Sequence, residues 1–437
     1  MKRVAAAVGL LTALAVGASF ASASPTKAGK PAATNLTIWV GWSARELSEF
    51  KKVVSEYDAK NANVSLKVVG GINDDKIIAA IRAGNAPDVV SSFTSQNVGI
   101  YCPSGGWIDL GPYLKKDKIS ESIFPKTTMY YTQYKGTRCA LPLLADAYGF
   151  YYNKQLLTAA GLSGPPKTLA ELTTYAKKLT KKNADGSLKV VGFDPFFGFY
   201  QNTIGAYQPL FNGKYFDGGG KSSFGSDPSW AQFLKWQKAL IDFYGYKNLV
   251  KWQTGAGDEF SASHAFESGK LAMMVDGEWR VSFIAAEHPD LSYGTAPAPV
   301  VNPSLYGAGA INGTIIGIPK NGKNRDAAWA LVKYLTTDSH ALAKFSNGIR
   351  NVPSTISSTK SKELKADPNF ATFGKIFTNA KSQTTPITAA GADHLNTFTT
   401  FLAKWQSGSV KDLAGGLKDV DKQIDAKLKQ AGGGGAP

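Results

Sequence analysis

The sequence predicts an α/β fold, and two patterns carry that reading. The first 60 or so residues after the N-terminal segment alternate strand, helix, strand, helix, strand, which is the opening of a parallel sheet. Beyond residue 147 the texture changes, and at about 150 residues per domain the 437 residues suggest two or three domain-sized units. Apolar residues make up 43% and charged residues 19%, a globular rather than a disordered balance.

Taken in order, Leu36–Val40 reads as the first strand. Ser43 and Glu46 have capping-box spacing, so a helix is predicted to start at Ser43. Leu47, Phe50, Val53, Val54 and Tyr57 give that helix one apolar face. Val64–Val69 is the second strand, and residues 74–83 form a helix with Ile77, Ile78 and Ile81 inward. Asn85-Ala86-Pro87-Asp88 turns into the short strand Val89-Val90. In sheets of this kind ligands sit beyond the carboxyl ends of the strands. That places Trp42, Ser43 and the segment Phe93 to Gln96 at a cleft edge.

Phe150–Asn153 reads as a strand, and Thr168 with Glu171 as a capping box opening a helix whose stripe is Leu172, Tyr175, Ala176 and Leu179. Residues 193–220 are loop-rich and crowded with aromatics. Helical patterns return at 228–244 and 258–268, and Ala296-Pro297-Ala298-Pro299 breaks the pattern. A strand over Thr314–Ile318 and a helix over Asp326–Leu335 follow, and the C-terminal third is mostly helical. The Gly-rich tail 431–437 is expected to be disordered.

The N-terminus has the form of a secretory signal. Lys2 and Arg3 precede an uncharged run from Val4 to Phe20, and Ala21-Ser22-Ala23 fits a signal-peptidase cut. Residues 1–23 are therefore read as a signal peptide and 24–35 as a flexible leader. No cysteine lies near that cut, so no lipid anchor is expected there. The protein is expected to be secreted, periplasmic or associated with the cell envelope. Lys+Arg number 49 against Asp+Glu 33, a net +16 that falls to +14 on removal of the segment. The lysines are scattered over polar helix faces rather than gathered in one stripe, so no nucleic-acid partner is expected. Cys102 and Cys139 are the only cysteines. Export favours a bridge between them, the alternative being two reduced, buried thiols. Two cysteines and four dispersed histidines offer no metal framework, and no metal or cofactor is expected. There is no phosphate loop, no H-E-x-x-H pair and no G-x-S-x-G elbow. The acidic pairs Asp74-Asp75 and Asp258-Glu259 read as solvated helix faces.

Six segments, in order, resemble the extracellular solute-binding proteins of bacterial ABC importers, specifically the carbohydrate-binding maltodextrin-type family. They are Ile81 to Val90 behind the opening strand–helix unit, Leu141 to Asp146 leading into Tyr151-Tyr152-Asn153-Lys154, and Pro166 to Leu172. Then come Phe266 to Met274 running into Asp276-Gly277-Glu278-Trp279, Gly317 to Asn321 with Ala327-Ala328-Trp329, and Gly348 to Pro353. The resemblance implies a periplasmic-binding-protein-like fold of two lobes with a hinge the chain crosses three times. The crossings would fall near Leu144–Tyr148, Tyr293–Ala298 and Leu335–Ser339. The N-terminal lobe is then 36–144 plus 297–335, and the C-terminal lobe 148–293 plus 339–430. The implied function is capture of a mono- or oligosaccharide between the lobes, without turnover, by a monomer that delivers it to transmembrane permease subunits. A non-sugar solute (peptide, polyamine or organic anion) on the same fold, or a secreted carbohydrate-active enzyme, is the alternative.

The resemblance also nominates residues. Trp279 stands where the family has a stacking Trp, and Asp146 matches its acidic hinge residue, with Tyr148 beside it. Trp42 either faces ligand or staples its helix. Ser95 and Gln96 fill a loop where the family supplies polar ligands, or are ordinary loop polarity. Asn312 and Gly313 precede a hinge strand. Arg350 clamps hydroxyls or a carboxylate, or makes a salt bridge. Asp276 and Glu278 flank Gly277 and either touch ligand or face water. Tyr207 is the aromatic chosen from 193–216. Sugars need aromatic platforms and planar hydrogen-bonding groups, which is the chemistry these types share.

Overall fold

The computed structural model describes residues 33–433. The expected signal peptide, leader residues 24–32 and the end of the tail lie outside the described residues. Ten strands make one continuous curled sheet. They are β1 (Thr34–Trp39), β2 (Val64–Val69), β3 (Val89–Ser92), β4 (Leu141–Asn153), β5 (Lys181–Lys182), β6 (Leu188–Phe193), β7 (Leu271–Gly277), β8 (Tyr293–Ala296), β9 (Ile311–Gly317) and β10 (Val352–Pro353). The main path runs β2-β1-β3-β9-β4-β7-β6-β5, with β8 and β10 both paired to β4. β1 is parallel to β2 and β3, whereas β9 runs antiparallel to β3.

Strand β4 organises the molecule. Its first half, Leu141–Ala147, pairs with β9, and its second half, Tyr148–Tyr152, pairs with β7. The partners change between Ala147 and Tyr148, so one thirteen-residue strand belongs to both lobes. Nearly all of it is buried, which matches the run of apolar residues that reads as a fully covered strand.

The other two passages differ from the sequence expectation. Residues 297–301 stay on the second lobe, since Leu169 N donates to Val300 O at 3.1 Å and Val301 N to Leu210 O at 2.8 Å. The chain reaches the first lobe only where β9 begins, not at Tyr293–Ala298. The helix Ser339–Ile349 packs Ala341, Leu342, Phe345 and Ile349 into the core around Phe50 and Trp329. It therefore belongs to the first lobe rather than the second. Ile356 N still donates to Ile123 O. The chain returns to the second lobe just before the helix Pro368–Phe377, whose Phe373 lies 5.6 Å from the Tyr151 ring.

Smaller differences have local causes. β1 begins at Thr34, because Thr34 N donates to Asn63 O and the strand pairs with β2 from its first residue. Gly433 N donates to Leu428 O, so residues 431–433 close the last helix instead of being loose. Residues 258–268 form turns, not a helix. The aromatics of 193–216 are core: Phe211 stacks on Phe233 at 4.2 Å, and a helix, Ile204–Phe211, runs through the stretch. The capping box of Thr168 and Glu171 is formed. Cys102 and Cys139 are bridged, with Cα atoms 5.5 Å apart.

Candidate functional site

The loops that follow β1 and β3 in the first lobe and β7 in the second meet at the hinge. After β1, Trp42 is 4% exposed and packs on Phe345 at 4.8 Å and Phe50 at 5.3 Å. It is a core residue stapling the helix Ala44–Lys60, not a ligand platform. Ser43 is exposed at the N-cap but its hydroxyl caps nothing, and Ala44 has φ +44°. The predicted capping box with Glu46 therefore does not form. Glu46 instead faces the hinge, where burial raises its carboxyl above the usual range and its charge is felt by Asp146.

After β3, the hydroxyls of Ser92 and Thr94 both donate to Asp74 at 2.5 Å. That clamp turns the intervening Phe93 outward. Phe93 is 49% exposed, and its ring lies edge-on to Trp42 at 5.5 Å. Gly41 makes the arrangement possible, because a Cβ there would stand 2.3 Å from the Phe93 ring. Ser95, 1% exposed, and Gln96 are buried in the tight turn Ser95–Asn97. The loop thus offers an aromatic face where polar ligands were expected.

At the hinge, Asp146 on β4 accepts a 2.7 Å hydrogen bond from the Asn351 amide. Burial pushes its carboxyl up to about 7, helped by Glu46 and opposed by that amide. Asn312 stands directly opposite it on β9, and the Asn312 side-chain oxygen accepts from Thr384 at 3.4 Å. Gly313 is enclosed between the Tyr131 hydroxyl and Leu144 O and has a packing role. Tyr148 donates to the Gln201 side-chain oxygen at 3.2 Å, and Gln201 donates in turn to Glu259. The Tyr148 ring meets Trp279 edge-to-face at 5.6 Å. Trp279 is partly exposed, and its indole Nε1 is buried with no hydrogen-bond partner among the described residues. Its ring folds back over Gly277, where a Cβ would stand 2.1 Å from it. Any other residue at 277 would displace the indole.

Three nominated residues are turned elsewhere. Asp276 is 1% exposed and accepts from Arg280 Nε at 2.8 Å, while Arg280 also donates to Glu267 at 3.1 Å. This buried cluster is internal to the second lobe, and burial raises the Asp276 carboxyl against the pull of Arg280. Tyr207 is 2% exposed and donates to Asn202 within the core. Arg350 ends its helix in the left-handed region at φ +59°. Its guanidinium donates to Lys365 O, lies over Phe370 and sits 3.8 Å from Asp367.

One residue at the seam escaped the sequence reading. Arg45 of the first lobe donates to the Ser282 hydroxyl of the second at 2.7 Å and to Gly348 O at 3.2 Å, with Phe283 5.0 Å beneath it. It is the second residue of the helix Ala44–Lys60, where local spacing gives no sign of a partner 237 residues along the chain. Gln201 lay in a segment without distinctive spacing, and Glu259, read as part of a solvated helix face, instead sits in a turn and accepts from Gln201.

Comparison with known proteins places the whole arrangement. The bacterial extracellular solute-binding protein family matches residues 52–372. The maltotriose-binding protein of Pyrococcus abyssi is 24% identical over 354 residues, covering 79% of this chain and 72% of its own. The maltooligosaccharide ABC transporter solute-binding lipoprotein of Streptococcus pneumoniae serotype 4 is 27% identical over 329 residues, 71% and 70% of the two chains. Among solved structures, CpMnBP1 with mannotriose bound superposes with a TM-score of 0.78 at 26% identity, covering 89% of this chain and 99% of that one. The match spans both lobes and the hinge strand between them, and the chain belongs to the bacterial extracellular solute-binding protein family.

Proposed function

We propose that this protein captures a mono- or oligosaccharide at the junction of its lobes, closes around it and presents it to the permease subunits of an ABC importer. The observation that carries the reading is the juxtaposition at the hinge. The partly exposed indole of Trp279, braced edge-on by Tyr148, adjoins β4, which carries the Asp146 carboxyl. A pyranose ring presents C–H groups on its faces and hydroxyls on its rim, so an aromatic face beside a hydrogen-bond acceptor suits it. Ser43, Asn312 and the exposed Phe93 ring add polar and apolar surface at the same strand ends. Relatives whose ligands are maltotriose, maltooligosaccharide and mannotriose support the same ligand class.

The protein acts in this reading as an exported monomer without a lipid anchor at the signal cut, and no bond is made or broken. No helix among the described residues is long and apolar enough to cross a membrane. The test is a thermal-shift screen against mannose-, maltose- and tagatose-type sugars of one to four units. A cognate sugar at 100 times its Kd adds about 2.7 kcal/mol. Trp279→Ala abolishes that shift, and also lowers the unliganded melting point because the ring packs on Gly277 and Tyr148. A full sugar response in that variant, or consumption of the sugar, contradicts the proposal.

A further inference from the structure

We infer that Glu278 is a positioning residue that ties the stacking face of Trp279 to the angle between the lobes. Glu278 sits between Gly277 and Trp279 at the end of β7, in the second lobe, and is 0% exposed. Every hydrogen bond its carboxylate accepts comes from a hinge segment. Oε2 accepts from Ala147 N, on β4, at 2.7 Å. Oε1 accepts from Asn351 Nδ2 at 3.1 Å and from Val352 N, on β10, at 3.3 Å. Ala147 is the last residue of β4 that pairs with the first lobe, and Val352 pairs with β4 at Ala145. One buried carboxylate from the second lobe therefore holds two separate chain segments at the lobe boundary.

Two consequences follow from the geometry. A rotation of the lobes about the Ala147–Tyr148 link must stretch or break these bonds unless Glu278 moves with the strands, and the indole follows on the next residue. The Asn351 amide also donates to Asp146 Oδ1, so the same amide orients a carboxyl that the proposed ligand meets and the carboxyl that positions the indole. The titratable groups around Glu278 are Asp146, Asp276 and the phenols of Tyr131, Tyr148 and Tyr151. The nearby cation, Arg280, is engaged by Asp276 and Glu267. Among the described residues no cation pairs with Glu278 directly, and its stabilisation rests on the three N–H donors.

The inference rests on the sugar-binding reading for its affinity arm but not for its geometric arm. Spin labels at Lys51→Cys and Lys235→Cys, on exposed positions of the helices Ala44–Lys60 and Pro228–Tyr244, report the interlobe distance in the unliganded chain. Glu278→Gln keeps the volume but turns an amide N–H₂ toward an N–H donor. It broadens the interlobe distribution, shifts Trp279 emission and weakens the sugar found in the screen at least tenfold. Asp276→Asn, which breaks a buried carboxyl two residues away, lowers the melting temperature and leaves the distribution unchanged. Should Glu278→Gln fail to fold, Asn351→Ala keeps Glu278 and removes the shared amide, and it must broaden the distribution as well. A Glu278→Gln or Asn351→Ala protein that loses only thermal stability, with an unaltered interlobe distribution, overturns the inference. Absence of any sugar response with a broadened distribution overturns the ligand assignment and leaves the positioning role standing.

Discussion

The Arg45 contact across the seam makes a quantitative prediction about closure. Its guanidinium donates to Ser282 Oγ at 2.7 Å and stands 5.0 Å over Phe283, both in the second lobe. A hydrogen bond from a charged donor contributes about 1.5–3 kcal/mol net, and a partly exposed cation–π contact about 0.5–1 kcal/mol. Ordering a long side chain offsets part of this, leaving about 2 kcal/mol in favour of the joined lobes. Arg45→Ala is therefore expected to reduce the closed-to-open ratio about 30-fold. Ser282→Ala removes only the hydroxyl acceptor and is expected to reduce it about tenfold. Titration calorimetry of both single variants and the double variant gives a double-mutant cycle on sugar affinity. Because the two groups touch, the cycle should show a coupling of about 1 kcal/mol or more. Additive losses, with coupling below about 0.3 kcal/mol, would mean that Arg45 acts on ligand rather than on the opposite lobe, and the latch reasoning would be refuted.

Two further expectations concern stability. The Cys102–Cys139 bridge closes a 37-residue separation, worth about 4 kcal/mol on the chain-entropy account. Replacing both cysteines by alanine should lower the denaturation free energy by that order while leaving sugar affinity intact, since the bridge lies in the first lobe; a loss under about 1 kcal/mol contradicts the estimate. His394 is 1% exposed among Tyr215 and Phe216, and burial lowers its pKa to about 4 against the opposing pull of the Gly391 backbone. The unfolded chain takes up this proton first as pH falls, so its contribution is intact above about 6.5 and is lost between there and 4. At pH 5 the loss is about 2 kcal/mol. His394→Phe should flatten the acid limb of a denaturation series by that amount, and an unchanged limb would refute the assignment.

What the sequence disclosed and what it hid separate along a physical line. The opening β1–helix–β2–helix–β3 unit was legible because its contacts are local: Phe50, Val53, Val54 and Tyr57 recur at helical spacing and are buried together. Thr168 and Glu171 were legible for the same reason, a capping box being a four-residue device. Ser43 and Glu46 have the same spacing and do not form one. Ala44 takes a positive φ there, and Arg45 and Glu46 are turned toward the seam and the hinge. The second and third lobe passages were misplaced because they depend on partners far along the chain. Whether Val300 meets Leu169, or the helix at 339–349 meets Phe50, is not written in the periodicity of either segment. The tryptophans make the point most directly. Trp42 and Trp279 both follow a strand end and precede a helix, and local pattern treats them alike. Phe345 and Phe50 close over Trp42 from distant elements, while at Trp279 the Gly277 backbone and the Tyr148 edge support the ring and leave part of it uncovered. A position on the strand end brings an aromatic to the cleft; what remains exposed to a ligand is decided by whatever the rest of the fold does not cover, and for Phe93 that remainder is half the residue.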